Sequence, residues 1–126
     1  MQSNDLDLTG RVVADMDPRL LRFLQDKISS FVKWDLVRFF YENPHTTDTA
    51  HNIARYTGRS VDIVAGELAE LAEDGVLEAN QLGDMLVFSL VPDTEVRELL
   101  ARFIEASDDR QFRVKVIYHI IRGMDR

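Results

Sequence analysis

The chain lacks several features that mark particular classes of protein. It has no cysteine among its 126 residues, which excludes disulfides, thiolate zinc sites, iron–sulfur clusters and cysteine nucleophiles. No apolar run reaches the roughly 20 residues that a membrane-spanning helix needs. The segment from Met1 to Thr9 is polar and acidic, so it lacks the basic start and apolar middle of a secretory signal. We therefore expect a cytoplasmic protein without a membrane segment.

The sequence also lacks the motifs of common enzymes. Its glycines are isolated, so there is no glycine-rich phosphate loop. The histidines, which are His45, His51 and His119, show no paired metal-ligand spacing. Adjacent carboxylates such as Asp108 and Asp109 would point apart on a helix. These absences predict a protein that is not an enzyme and that holds no cofactor and no metal.

What is present is the composition of an ordinary soluble domain. Hydrophobic residues make up 45% of the chain and charged residues 29%, which is enough apolar surface for one compact core. The formal net charge is −7, so the bulk charge repels nucleic acid and anionic membranes. We predict an acidic N-terminal arm over residues 1–16 and a single domain over residues 17–126.

Caps and apolar spacing predict a mainly helical chain with one small antiparallel hairpin. Ser29 and Ser30 either cap a second helix or kink a continuous one. The β-branched run from Val114 to Ile117 can be interpreted as strand, although its spacing favours helix. The hairpin pairs Val76–Asn80 with Met85–Val91 across a turn at residues 81–84. Helix starts are predicted at Asp17-Pro18, Ser30, Thr46-Thr47-Asp48, Ser60, Asp93 or Thr94, and Ser107-Asp108-Asp109.

The middle of the chain has a specific order of signals: a short capped helix, a glycine turn, a second helix, a glycine, and an apolar hairpin. The residues that carry it are Thr47, Ala50, Ile53, Ala54, Gly58, Ser60, Val64, Leu68, Leu71, Gly75, Val76 and Leu77. Over residues 30–91 the chain resembles the winged helix-turn-helix family, in particular the small MarR-like and ArsR-like regulators. The alternative is a helical core with a decorative hairpin.

The resemblance implies a transcriptional regulator that binds duplex DNA as a homodimer. It makes Ser60–Asp74 the recognition helix that enters the major groove, and Val76–Val91 the wing that touches the DNA backbone. Arg55 and Arg59 would hold phosphates, and Ser60 would anchor the helix N-terminus. The full set of DNA-binding residues implied in this way is Arg55, Arg59, Ser60, Asp62, Ile63, Glu67, Asn80 and Gln81.

The charge pattern departs from that of a DNA-binding surface. Between residues 59 and 84 the only base is Arg59, and the wing turn has neither Lys nor Arg. With Leu68 inward, the outward side of the Ser60–Asp74 helix shows Arg59, Ile63, Gly66, Glu70 and Glu73, flanked by Asp62, Glu67 and Asp74. Because DNA affinity comes largely from cations at phosphates, a second hypothesis stays open. In it, the scaffold is an interaction module that binds a basic protein partner and no DNA.

The helices at both ends suggest further roles. Phe112, Val116, Ile120 and Met124 form a narrow seam that suits pairing with a second copy, as flanking helices do in MarR-like proteins. The basic residues of 110–126 lie either on a solvated helix face or against an acidic partner, which includes the acidic helix of a second copy. A third possibility is a small ligand in a cleft between the end helices and the core.

Overall fold

The computed structural model describes residues 17–124, so the predicted acidic arm over residues 1–16 lies outside the described residues. Within this range the chain forms six helices and one three-stranded antiparallel sheet. The predicted fold class is confirmed: the chain is mainly helical, with a small hairpin between helices at both ends. The elements are α1 (Pro18–Lys27), α2 (Phe31–Glu42), β1 (Thr47–Thr49), α3 (Ala50–Thr57), α4 (Val61–Glu73), β2 (Leu77–Leu82), β3 (Met85–Leu90), α5 (Thr94–Ala106) and α6 (Arg110–Met124).

Side-chain caps set where the helices begin. The Asp17 carboxylate accepts a hydrogen bond from the Arg19 amide at 2.8 Å, with Pro18 in the first turn of α1. Ser30 Oγ accepts from the Lys33 amide at 3.0 Å, so α1 and α2 are separate helices and not one kinked helix. The cap of α5 is Asp93, which accepts from two amides of its first turn. These caps therefore lie where short polar side chains precede apolar runs.

The core is continuous and is centred on aromatic side chains of the end helices. Phe103 of α5 is fully buried, and its ring lies 5.8 Å from that of Phe23, 6.4 Å from Trp34 and 5.7 Å from Phe112. Such tilted and edge-to-face pairs are the favoured aromatic arrangements. The same cluster extends through Phe40 to Ile53 of α3 and Leu68 of α4. Burial of this apolar surface is the main term that stabilises the fold.

The sheet contains one strand that the sequence does not predict. Its order is β1-β3-β2, with β3 in the centre and Asp48 paired with Phe88. The sequence predicts a helix cap at Thr46-Thr47-Asp48, but the cap of α3 is Thr49 and residues 47–49 pair with β3. A three-residue edge strand depends on a partner some forty residues away along the chain. No local sequence pattern therefore predicts it.

The hairpin is tighter than predicted. Leu82 pairs with Met85, which leaves only Gly83 and Asp84 in the turn instead of the four residues expected. Val76 lies before β2, yet its carbonyl accepts from the Val91 amide at 3.2 Å and so extends the pairing by one step.

The last helix places its apolar residues differently from the predicted dimer seam. Phe112, Val116 and Ile120 are buried in the core of the monomer, so the prediction that they meet a second copy is wrong for these three side chains. Met124 is exposed. The helix carries two apolar stripes, and the sequence spacing alone does not say which one faces the core. The segment that is open to interpretation as strand, Val114–Ile117, is helical.

Candidate interaction face

A left-handed glycine joins α3 to α4. Thr49 Oγ1 accepts from the Asn52 amide at 3.2 Å and begins α3. Gly58 ends it with φ of 69° and ψ of 30°, a left-handed conformation that glycine adopts without steric cost. The Arg59 amide then bonds to the Ala54 carbonyl at 3.0 Å. Ser60 lies at the N-cap of α4 as predicted, but its side chain makes no capping hydrogen bond.

A buried ion cluster holds α4 against α2. Lys33 of α2 is only 4% exposed, and its Nζ donates to Ser29 Oγ at 2.8 Å and to a carboxylate oxygen of Glu70. Glu67 lies 3.9 Å from the same ammonium and accepts a short hydrogen bond from Ser30 Oγ. A buried ammonium needs such partners because its desolvation is costly. Glu67, predicted to lie near a DNA groove, is therefore engaged with the N-terminal end of α2.

The opposite side of α4 faces solvent. Val64, Leu68 and Leu71 are fully buried, which confirms the inward direction of Leu68. The exposed residues of the helix include two apolar side chains at its start and three carboxylates. They are Val61, Asp62, Ile63, Gly66, Ala69, Glu70 and Glu73. No side chain lies within 4 Å of the position that a Cβ of Gly66 would take, so the middle of this side is flat.

The hairpin of β2 and β3, which we call the wing, exposes apolar side chains that the sequence analysis does not single out. Leu82, Met85 and Leu86 are each about half exposed, whereas Val87 and Phe88 are buried. Beside α4 the wing forms a groove of about 480 Å³, lined in part by Ala69, Ala72, Glu73, Glu78, Leu86 and Phe88. The sequence signal for this groove is the run of consecutive apolar residues at the start of β3. A strand with only one buried face would alternate apolar and polar residues.

The electrostatics of this region are one-sided. Residues 61–91 contain no Lys or Arg, and the described carboxylates of Asp62, Glu70, Glu73, Glu78 and Asp84 are exposed. We call the exposed side of α4 and its groove with the wing the acidic face. Asn80 and Gln81 are exposed on β2, where the Gln81 amide donates to the Gly83 carbonyl at 3.1 Å and so stabilises the turn.

Arg55 and Arg59, on either side of Gly58, differ in their surroundings. Arg59 donates from Nε to Asp35 Oδ2 at 2.7 Å and from a second nitrogen to the same oxygen. A guanidinium bound in this way is partly neutralised. Arg55 is exposed at the end of α3, and among residues 17–124 its side chain has no hydrogen-bond or ion-pair partner. Of the two cations predicted to hold phosphates, only Arg55 is uncommitted within that range.

A second polar cluster links the first strand to α3. The side chain of Asn52 donates to Asp48 at 2.8 Å and, with the Thr49 amide and the Tyr56 hydroxyl, lowers the pKa of Asp48 below its ordinary value. The same carboxylate raises the pKa of Tyr56, whose ring stacks on Phe39 at 5.8 Å. Because Asp48 accepts three hydrogen bonds as a carboxylate, it stabilises the start of α3.

A cleft lies beside the first helix, and no residue of α6 lines it. It has a volume of about 440 Å³ and lies between α1, the turn after α4 and the start of α5. Phe23, Val76, Val96 and Leu99 line its floor. An ion pair between Arg19 and Glu95, 3.4 Å apart, lies at its rim.

Metal sites and membrane spans are both absent from the described part of the chain. Between residues 17 and 124, no three His, Asp or Glu side chains come together in a way that could hold a metal ion. Over the same range, each helix is too short or too polar to cross a bilayer.

No family model, no curated protein and no solved structure matches this chain. The element order α2–β1–α3–α4–β2–β3 and the sheet order β1-β3-β2 are therefore the grounds on which the functional assignment depends.

Proposed function

We propose that this chain is a winged helix-turn-helix protein that acts as a non-enzymatic interaction module in the cytoplasm. Its acidic face binds a basic amphipathic segment of a protein partner. The observation that carries this proposal is the groove between α4 and the wing, where apolar side chains of Ala69, Leu86 and Phe88 lie beside the carboxylates of Glu73 and Glu78. An apolar floor with acidic borders suits an amphipathic helix that has one apolar and one basic side.

The charge of the face supports a protein partner over DNA. Each exposed carboxylate of α4 and the wing would oppose a phosphate, and residues 61–91 provide no cation to offset it. Lys33 and Arg59, which lie beside α4, are engaged with Glu70 and Asp35. Phosphate binding would require these internal pairs to break.

The proposal is tested with two designed peptides of equal length and apolar pattern, one of Leu and Lys and one of Leu and Glu. We expect the Leu/Lys peptide to bind the wild-type chain and the Leu/Glu peptide not to bind. In the double variant Glu73→Lys/Glu78→Lys, the association constant for the Leu/Lys peptide should fall at least about tenfold, since two attractive pairs become repulsive. Glu95→Lys/Glu98→Lys on α5 is the matched control. Equal weakening in both variants would show that only the net charge matters and would overturn the assignment of the face.

The second candidate function is the binding of duplex DNA by a dimeric transcriptional regulator. The topology favours it, because α4 follows the glycine turn as a recognition helix would. The exposed Arg55 beside the N-terminus of α4 also favours it.

Binding of random-sequence duplex DNA to the wild type and to Arg55→Ala/Arg59→Ala, at low and at physiological salt, tests this candidate. If the arginines hold phosphates, the slope of log K against log salt should flatten by about one unit for each phosphate that is no longer bound. Unchanged binding by the double variant would exclude this placement.

A further inference from the structure

The last helix exposes a second apolar stripe that has no partner in the described chain. Its members follow helical spacing on the side opposite Phe112 and Val116, and each is more than one-third exposed. They are Val114, Ile117, Tyr118, Ile121 and Met124. Contiguous apolar surface of this kind on a helix commonly marks an interaction site.

Cations border this stripe. Arg122 donates to the Tyr118 hydroxyl at 2.8 Å, and its guanidinium lies 5.5 Å from the centre of the Tyr118 ring. Lys115 Nζ lies 5.7 Å from the same ring. From Arg110 to Met124 the helix has four Lys or Arg residues and no carboxylate. We call the apolar stripe together with Lys115 and Arg122 the α6 face.

The α6 face and the acidic face have complementary properties. The segment 61–91 has carboxylates and no cation, whereas 110–124 has cations and no carboxylate. Both expose apolar side chains, Leu86 on the wing and Ile121 on α6, each about half exposed. Pairing of α6 with α6 of a second copy would instead bring cations against cations, which is unfavourable.

We propose that the α6 face of one copy docks into the acidic face of a second copy. This proposal rests on the proposed function, since it names the partner of the acidic face. The apolar stripe covers the groove between α4 and the wing, and Lys115 and Arg122 lie near Glu73 and Glu78. The contact joins two different surfaces, so a pair of copies still has one free acidic face and one free α6 face. Association therefore continues until the assembly closes into a ring, or it remains an open chain.

The test uses the full chain and two double variants. Glu73→Lys/Glu78→Lys alters the acidic face and leaves α6 intact. Lys115→Glu/Arg122→Glu alters the α6 face and leaves the groove intact. Both pairs lie outside the core, and circular dichroism checks that each variant is folded. Sedimentation velocity over a range of protein concentrations measures association, at salt near 0.1 M and near 1 M, where the Debye length is about 10 Å and about 3 Å.

We expect the wild type to associate in a concentration-dependent way, and high salt to weaken that association. Each variant alone should associate at least about tenfold more weakly than the wild type, and an equimolar mixture of the two should regain association. Restoration on mixing cannot come from misfolded chains. Self-association of Glu73→Lys/Glu78→Lys alone would show α6–α6 pairing and would overturn the proposal. A wild type that stays monomeric would overturn it as well.

The two proposals fail separately. If the mixture does not associate but the Leu/Lys peptide still binds the wild type and not Glu73→Lys/Glu78→Lys, the acidic face binds a basic partner other than a second copy. If the peptide binds the wild type and this variant equally, the proposed function itself is wrong.

Discussion

Arg59 Nε lies 2.7 Å from Asp35 Oδ2, so the turn before α4 is joined to the outer side of α2 by an ion pair. The arginine side chain is about one-third exposed and the aspartate about half exposed. Pairs in such surroundings contribute little stability, about 0.2–1 kcal/mol. The pair bears on the DNA-binding candidate, because it engages one of the two cations that the sequence predicts at phosphates.

Removal of the Asp35 charge should release Arg59. If the second candidate function holds, Asp35→Asn should raise the affinity for duplex DNA at low salt and steepen the salt dependence by about one unit for the additional phosphate bound. The free energy of unfolding should fall by less than about 1 kcal/mol. Asp26→Asn, an exposed aspartate on α1, is the control. An unchanged slope in the Asp35 variant would mean that Arg59 cannot reach a phosphate.

In the buried cluster around Lys33, removal of the carboxylates should lower the free energy of unfolding more than removal of the ammonium. Glu67→Gln/Glu70→Gln removes both negative charges beside a buried ammonium, which should cost about 3–5 kcal/mol. Lys33→Met keeps the volume of the side chain and leaves carboxylates that can turn to water, so its cost should be less than about 2 kcal/mol. Urea unfolding of both variants measures the difference. Equal costs would contradict the view that Lys33 is the group that needs compensation.

Gly66 and Gly58 should show opposite effects on the stability of the fold when each is replaced by alanine. Gly66 lies inside α4 with open space at its Cβ position, so Gly66→Ala should stabilise the fold by about 0.5–1 kcal/mol. Gly58 has φ of 69°, so Gly58→Ala should destabilise by about 1 kcal/mol or more. Thermal unfolding gives both signs. Weaker peptide binding by the stabilised Gly66→Ala chain would show that a partner approaches this part of α4 closely.

Adjacent isoleucines on α6 distinguish the core stripe from the exposed one. Ile120 is 0% exposed and Ile121 is 47% exposed. Ile120→Ala should cost about 2–5 kcal/mol because it leaves a cavity. Ile121→Ala should change the free energy of unfolding by no more than about 0.5 kcal/mol and weaken self-association. Reversed effects would restore the seam predicted from the sequence.

Stability should depend on pH through His119. Burial lowers the pKa of His119, against the opposing effect of the Ile28 and Leu24 carbonyls nearby. The unfolded chain therefore binds the proton more readily, with a pKa of about 6.5. The stabilising contribution is present above that pH and is lost as the pH falls through the folded pKa.

Unfolding measured between about pH 7 and pH 5 should show this decline, and His119→Gln should reduce it. His45→Gln, in the exposed loop after α2, is the matched control variant. The lowered pKa values of Asp17 and Asp48 act at lower pH, since their contributions are lost only below the ordinary aspartate value of 3.8. An unchanged pH profile in the His119 variant would assign the decline to other groups.

The amino-acid sequence determined the features that depend on near neighbours. The helix start at Asp17, the exit at Gly58 and the inward direction of Leu68 follow from caps, glycines and apolar spacing. Ser30 and Asp93 are each one of two alternatives that the sequence leaves open. These features depend on interactions between residues that are close together in the sequence, so they can be predicted from the sequence alone.

Only the tertiary structure decided which stripe of α6 is buried, that Thr47–Thr49 pairs with β3, and that Arg59 and Glu67 bind within the chain. Each of these depends on a partner far away in the sequence, and spacing along one helix or strand carries no information about such a partner. Packing therefore engages Arg59 with Asp35 and Glu67 with Ser30, and it leaves the acidic, partly apolar face exposed to solvent.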